Sequence, residues 1–188
     1  MPGREVVLAV LLVAAVAGSA EAGRVFFAQK AHAKCKKAPA TRNARSLRAV
    51  DWCNRDYLGK QISLRGGFGE LHEYADMGKP HDTHTSSLQG VAYLDVDGDG
   101  TVEALVALNR GDWFVGEDGE TRSRSHSQIY VYGWKDGGPA FLGTMDAETP
   151  IHAVAASKGN LAVRSGPTPQ APDAVIRFRL TPDGFEPR

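Results

Sequence analysis

The amino-acid sequence predicts an all-β domain of mostly antiparallel sheets, sandwich-like or small-propeller-like, with a short helix near its N-terminus. Three observations carry this expectation. Short apolar or alternating segments recur from about residue 60 to the end of the chain. Glycine-bearing turns such as "RGGFG", "KDGGP" and "KGN" separate them. The segment "DAVIRFRL" sets Val175, Arg177 and Arg179 against Ile176, Phe178 and Leu180, the period-two pattern of a half-buried strand. Strand–turn units at this spacing favour an antiparallel all-β domain over alternating βα units.

The elements follow in order. Residues 1–22 carry an early arginine, an apolar run from Val6 to Ala17 and the small residues Ala20 and Ala22. This is the pattern of a secretory signal peptide. The run is shorter than the roughly 18 to 20 residues of a spanning helix. The alternative is an uncleaved membrane anchor extended by "RVFFAQ". Residues 23–58 form a basic lead-in, in which "SLRAVDWCNRDYLG" spaces Leu47, Val50 and the Trp52–Leu58 stretch near helical periodicity. Ser46 is the candidate cap of that short helix. Residues 59–188 form the β domain. Its strands are expected in "QISLRGGFGELHEY", "GVAYL", "EALVALN", "SQIYVYGW", "AFLGTM", "IHAVAAS", "LAVRSG" and "DAVIRFRL". Two polar stretches, residues 75–89 and 109–127, are expected as long surface loops.

Composition narrows the function. The 188 residues suit one domain, and 42% hydrophobic content is enough to build a core. Lys+Arg and Asp+Glu number 22 each, which gives no reason to expect a nucleic-acid partner or an anionic membrane surface. Export implies a periplasmic or secreted protein, touching a membrane only if the N-terminal segment stays attached. In an oxidising compartment the two cysteines, Cys35 and Cys53, are expected to pair. A zinc site on them is disfavoured, because no clustered histidines accompany the two sulfurs.

The chemistry-bearing stretch is "YLDVDGDGTVEALVAL", Tyr93 to Leu108. Asp95, Asp97 and Asp99 alternate, Gly98 and Gly100 interleave them, and Thr101 and Glu103 follow. Calcium takes six to eight hard oxygens from carboxylates, carbonyls and water, and alternating aspartates in a tight turn can converge on one point. A glycine permits the sharp bend. Carboxylates packed this closely repel one another without a cation. The stretch departs from an EF-hand, since Val106 stands where a bidentate Glu is required and the flanks alternate as strands.

This pattern resembles the calcium loop of FG-GAP/VCBS-type β-repeats: an apolar strand, D-x-D-G-D-G-x-x-[DE], then a second apolar strand. The resemblance covers Gly90 to Leu108. More loosely, "SQIYVYGWKDGGPAFLG" resembles the following hairpin in small secreted bacterial β-domains of unknown function. It implies Ca2+ held by the side chains of Asp95, Asp97, Asp99 and Glu103 and the backbone of Thr101, in a structural role. Such repeats occur in arrays, and here there is one loop. The exported part is also too short for a seven-bladed propeller, so a single-loop sandwich or small open assembly is expected.

Catalytic signatures are sparse. No G-x-S-x-G elbow, catalytic cysteine context or phosphate-cradling loop occurs. "HDTH" places His81, Asp82 and His84 together, a candidate metal site or general base that lacks a third ligand by spacing. His32, His72, His126 and His152 are scattered. Arg110-Gly111-Asp112 would suggest adhesion on an exposed tip. Trp113, Trp134, Tyr130 and Tyr132 form either a ligand face or cross-strand core pairs. The expectation is a monomeric, non-enzymatic exported module, stabilised by calcium and a disulfide, that binds a protein or envelope partner. The alternative is a small secreted hydrolase using the His81/Asp82/His84 loop, with Glu70, Glu73 or His126 completing its pocket. A further possibility is an inhibitor of another exported protein, acting through residues 112–126.

Overall fold

The computed structural model describes residues 24–26, 35, 45–57, 62–74, 80–116, 118–157, 159–166, 174–181 and 184–188. The expected signal peptide or anchor at residues 1–22 lies outside them. Among the described residues no helix is long and apolar enough to cross a membrane.

Among the described residues, twelve strands form three antiparallel sheets. The central sheet has the order β4–β5–β6–β7–β8 (Phe68–Tyr74, Pro80–Leu94, Glu103–Val115, Thr121–Lys135, Gly138–Ala147). It is a meander, with strands consecutive along the chain lying side by side in the sheet. A second five-stranded sheet has the order β1–β9–β10–β11–β12 (Arg24–Phe26, Ile151–Ser157, Asn160–Ser165, Ala174–Thr181, Gly184–Pro187). The pair β2–β3 (Asp56–Tyr57, Ile62–Ser63) forms the third sheet. The expected all-β antiparallel architecture is therefore the observed one, built as packed open sheets.

The two large sheets face each other across one core. Ala92, Leu94, Leu105, Ala107, Ile129, Val131 and Met145 of the central sheet meet Ile151, Val154, Leu161, Val163 and Phe178 of the other. Val175 is exposed while Phe178 is buried, as the alternation in β11 requires. Gly143 lets the Phe185 ring approach β8; a Cβ there would lie 3.1 Å from that ring.

The other face of the central sheet is also covered. Ala104, Val106, Leu108, Tyr130 and Tyr132 pack against Leu47, Trp52, Tyr57, Ile62 and Leu64 from the N-terminal segment. Consequently Glu103–Leu108 is buried residue by residue. A strand covered on both faces needs a continuous apolar run, and "ALVAL" supplies it. Tyr57 sits 5.6 Å from Tyr130, and Trp52 sits 5.0 Å from Tyr132, between ring centroids. The strand tyrosines are thus core pairs, while Trp113 stays exposed.

This N-terminal layer corrects one expectation. No helix spans 46–57. A single 3-10 turn at Leu47–Ala49 is followed by an irregular stretch and β2, and the Ser46 side chain makes no capping bond. Leu47, Trp52 and Tyr57 are buried because they dock on the sheet, not because they share a helical face. The Tyr57 hydroxyl donates to the Trp52 carbonyl at 2.6 Å and the Trp52 indole donates to the Leu47 carbonyl at 3.2 Å. The expected disulfide joins Cys35 to Cys53 with Cα atoms 5.5 Å apart. It is consistent with an oxidising, extracytoplasmic compartment.

The two expected long loops are also corrected where they are described; residues 75–79 of the first lie outside the described residues. Residues 80–89 belong to β5, and 109–127 are the paired arms of β6 and β7 around a short turn near Gly116–Glu120. Both were expected as loops because polar residues dominate them, Trp113, Phe114 and Val115 apart. They extend beyond the apolar covers, so ladder hydrogen bonds hold them and no apolar alternation marks them.

Candidate metal centre

The acidic loop closes the β5–β6 hairpin, where Leu94 pairs with Glu103. Two strands of the central sheet therefore fix its ends. The turn itself is built by the aspartates. Asp95 accepts the Gly98 N–H at 2.6 Å and the Gly100 N–H at 3.1 Å. Asp97 accepts the Asp99 N–H at 3.0 Å. Asp99 accepts both the N–H and the hydroxyl of Thr101, at 2.7 and 2.6 Å. Gly98 and Gly100 adopt φ of 84° and 89°, which other residues adopt only with strain.

This folding brings carboxylate oxygens of Asp95, Asp97 and Asp99 within 4.8 Å of one another. The donors are hard oxygens, the kind calcium and magnesium take. Asp97 and Asp99 are exposed and Asp95 is half-buried, so an ion can reach them from solvent. Thr101 hydrogen bonding holds the Asp99 carboxyl below its usual range, which keeps it ionised.

Glu103 stands apart from that trio. It is only 4% exposed, and its Oε2 accepts the Val96 N–H at 2.7 Å. Burial pushes its carboxyl up to about 7; the Val96 bond opposes the shift, and Asp97, Asp99 and Asp95 add to it. The side chain thus pins the start of the loop to the start of β6. A cation among the aspartates would reverse the repulsion they exert on it.

A second group assembles at the far end of β5, β6 and β7. His84 donates from Nδ1 to Asp112 Oδ1 at 2.8 Å. His126 Nδ1 lies 3.6 Å from Asp112 Oδ2. His84 and Asp112 are register partners, and His126 is the partner of Arg110. His126 is therefore not isolated. His84 also borders a cavity of about 130 Å³ with Glu70, Ser86 and Arg110. Asp82 lies on β5 opposite Phe114. The side chains of His72, Glu73 and His81 lie outside the described residues. The Arg110-Gly111-Asp112 tripeptide is mid-strand and half-buried rather than at a loop tip, so it does not present an adhesion loop. His152 is buried, with Nε2 2.7 Å from the Gly166 carbonyl oxygen. Sequence reasoning offered His126 as a pocket partner of His84 but missed Asp112, which lies against both, because strand register alone brings it there.

No family model matches the chain, and no curated protein or solved structure matches it either.

Proposed function

We propose that the chain is an exported β domain whose β5–β6 turn binds one structural Ca2+, and that it acts as a non-enzymatic binding module of the cell envelope or exterior. The observation that carries the metal is the convergence of Asp95, Asp97 and Asp99 within 4.8 Å. Bound calcium would take these carboxylates, the Thr101 carbonyl and waters. Glu103 would join directly or through water, as its place beside the loop allows. The ion would neutralise the turn that ties two central strands of the core. The resemblance to FG-GAP/VCBS loops supports the same reading.

The binding role draws support from the β6–β7 arm, which exposes Trp113, Phe114 and Val115. Aromatic side chains are favoured anchors of protein interfaces. Calorimetric titration tests the metal: one Ca2+ site with a dissociation constant of roughly 10⁻⁴ to 10⁻³ M is expected, abolished in Asp97→Ala. Heat from several weak sites, or unchanged binding in the variant, would refute it.

A second reading, the small hydrolase, is favoured by one observation: Asp112 orients His84 beside a cavity. Turnover of ester or amide substrates lost specifically in His84→Ala would establish it over the binding module.

A further inference from the structure

The outer half of β6 holds one aromatic side chain in a defined pose. A Cβ on Gly111 would lie 3.4 Å from both Cη2 and Cζ3 of Trp113, the far edge of its indole. Residues two apart in a strand share a face. The indole therefore leans back along β6 over Gly111 instead of standing out from the sheet. Trp113 is nonetheless 44% exposed, so the outer side of the ring meets solvent. Any side chain longer than a methyl at position 111 would compete with the ring for space. A glycine inside a strand costs conformational entropy and packs nothing, and it often marks a close approach. Here the approach is that of the indole, which gives the glycine of the Arg110-Gly111-Asp112 tripeptide a local role.

Hydroxyls surround the ring. Thr83 and Ser123 are the register partners of Trp113, and Thr85 and Ser125 are those of Gly111. Register partners share a face of the sheet. Ser123 and Ser125 are exposed, while Thr83 and Thr85 are half-buried. The Ser125 hydroxyl donates to Asn109 Oδ1 at 3.4 Å, which puts the Asn109 amide on the same face. Arg110, Asp112, Arg122 and Arg124 take the alternate positions of β6 and β7 and belong to the opposite face. Among the described side chains, the rows of Gly111 and Trp113 hold one charge, Glu70 of β4, the register partner of Thr85.

These groups select a ligand by chemistry. The face of an indole is electron-rich. It attracts the face of a pyranose ring, whose carbon-bound hydrogens carry partial positive charge. Each hydroxyl is both donor and acceptor, so the hydroxyls of a sugar can replace the waters on this face one for one. The Glu70 carboxylate accepts strongly from a hydroxyl and repels an anion. The core of a protein interface, by contrast, is depleted in serine. We propose that this face binds a neutral pyranose chain, with Trp113 as the stacking platform and the flanking hydroxyls as its polar contacts. The proposal rests on the reading of the chain as an exported binding module and names the chemistry of its partner. It is separate from the aspartate loop, so it stands or falls independently of calcium.

The experiment is an NMR titration of the full oxidised chain, in excess calcium, with cellohexaose, laminarihexaose, maltohexaose and N-acetylchitohexaose in turn. The indole N–H signal of Trp113 is identified by its loss in Trp113→Ala. At least one of these sugars is expected to move that signal saturably, with a dissociation constant of about 1 mM, while the signal of Trp52, only 4% exposed, stays in place. Trp113→Ala, followed through the Ser123 and Ser125 amides, is expected to weaken binding about tenfold or more. Gly111→Thr keeps the indole and adds atoms where the ring lies, so it is expected to weaken binding as well. Indifference to every one of these sugars would overturn the proposal. Undiminished binding in a folded Trp113→Ala protein would overturn the platform. Chromatography of the recovered sugar separates the proposal from the reading beneath it. Shortened chains would overturn the non-enzymatic reading and keep the sugar site; intact sugar without a response overturns the sugar site and leaves the module with another partner. The wild-type titration decides the main point even if a variant does not fold.

Discussion

Reduction of the Cys35–Cys53 disulfide tests whether the N-terminal layer is part of the stable core. The bridge spans a sequence separation of 18 and closes beside Trp52. Loop-closure entropy for a ring of that size corresponds to about 3 kcal/mol. For a domain of 150–250 residues each kcal/mol moves Tm by about 2–4 °C, so reduction should lower Tm by about 6–12 °C. The cost has a specific structural target. Leu47, Trp52, Tyr57 and Leu64 cover Ala104, Val106, Leu108, Tyr130 and Tyr132. Loosening the layer would expose an apolar sheet face that binds ANS. The assay is paired calorimetric melts of oxidised and reduced protein, repeated with Cys35→Ala/Cys53→Ala and read alongside ANS fluorescence and the near-UV signal of the tyrosine–tryptophan cluster. A reduced protein that melts within 1–2 °C of the oxidised one, without ANS binding, would refute the reasoning that the bridge is what holds the layer on the sheet.

Two further perturbations probe the other buried faces. Leu105→Ala removes a side chain that is 0% exposed between the two large sheets, and should cost about 2–5 kcal/mol in urea unfolding at unchanged m; a loss below 1 kcal/mol would contradict the shared core. Burial pushes the Tyr130 hydroxyl up to about 12, Arg110 opposes this, and Asp146 and Tyr132 add to it; burial raises Tyr57 as well. Because the folded value exceeds the ordinary 10, the unfolded chain ionises first. Stability should hold below pH 10 and fall as pH rises through about 12, with a slope of up to about 1.4 kcal/mol per pH unit for each such group. Tyr130→Phe should flatten that slope in pH-dependent unfolding, and an unaltered slope would show that Tyr130 ionises freely.

Much of the fold was legible where one physical signal dominated. The alternation in β11 exists because one face of that strand packs on the core. Asp136 and Gly137 close the β7–β8 hairpin with φ of 52° and 78°, and Gly159 turns β9 into β10 with φ of 77°. The loop aspartates were legible because their convergence is local. What failed to show depended on distant partners. The outer halves of β5 and β7 are mostly polar on both faces, and Trp113–Val115 in β6 does not alternate, so only their register reveals them as strands. Leu47, Trp52 and Tyr57 suggest helical spacing, yet the sheet they dock on dictates an irregular layer. His84 and Asp112 lie 28 positions apart and meet only through cross-strand pairing.

The calcium reading is tested most directly by thermal melting of the oxidised chain with calcium and with excess chelator, beside Asp97→Ala. At free calcium tenfold above the dissociation constant, binding adds about 1.4 kcal/mol, or about 3–6 °C in Tm. The account predicts that rise for the native chain and none for the variant. Identical melts with calcium and chelator would contradict it, leaving Asp95, Asp97 and Asp99 as a turn that folds on its own hydrogen bonds.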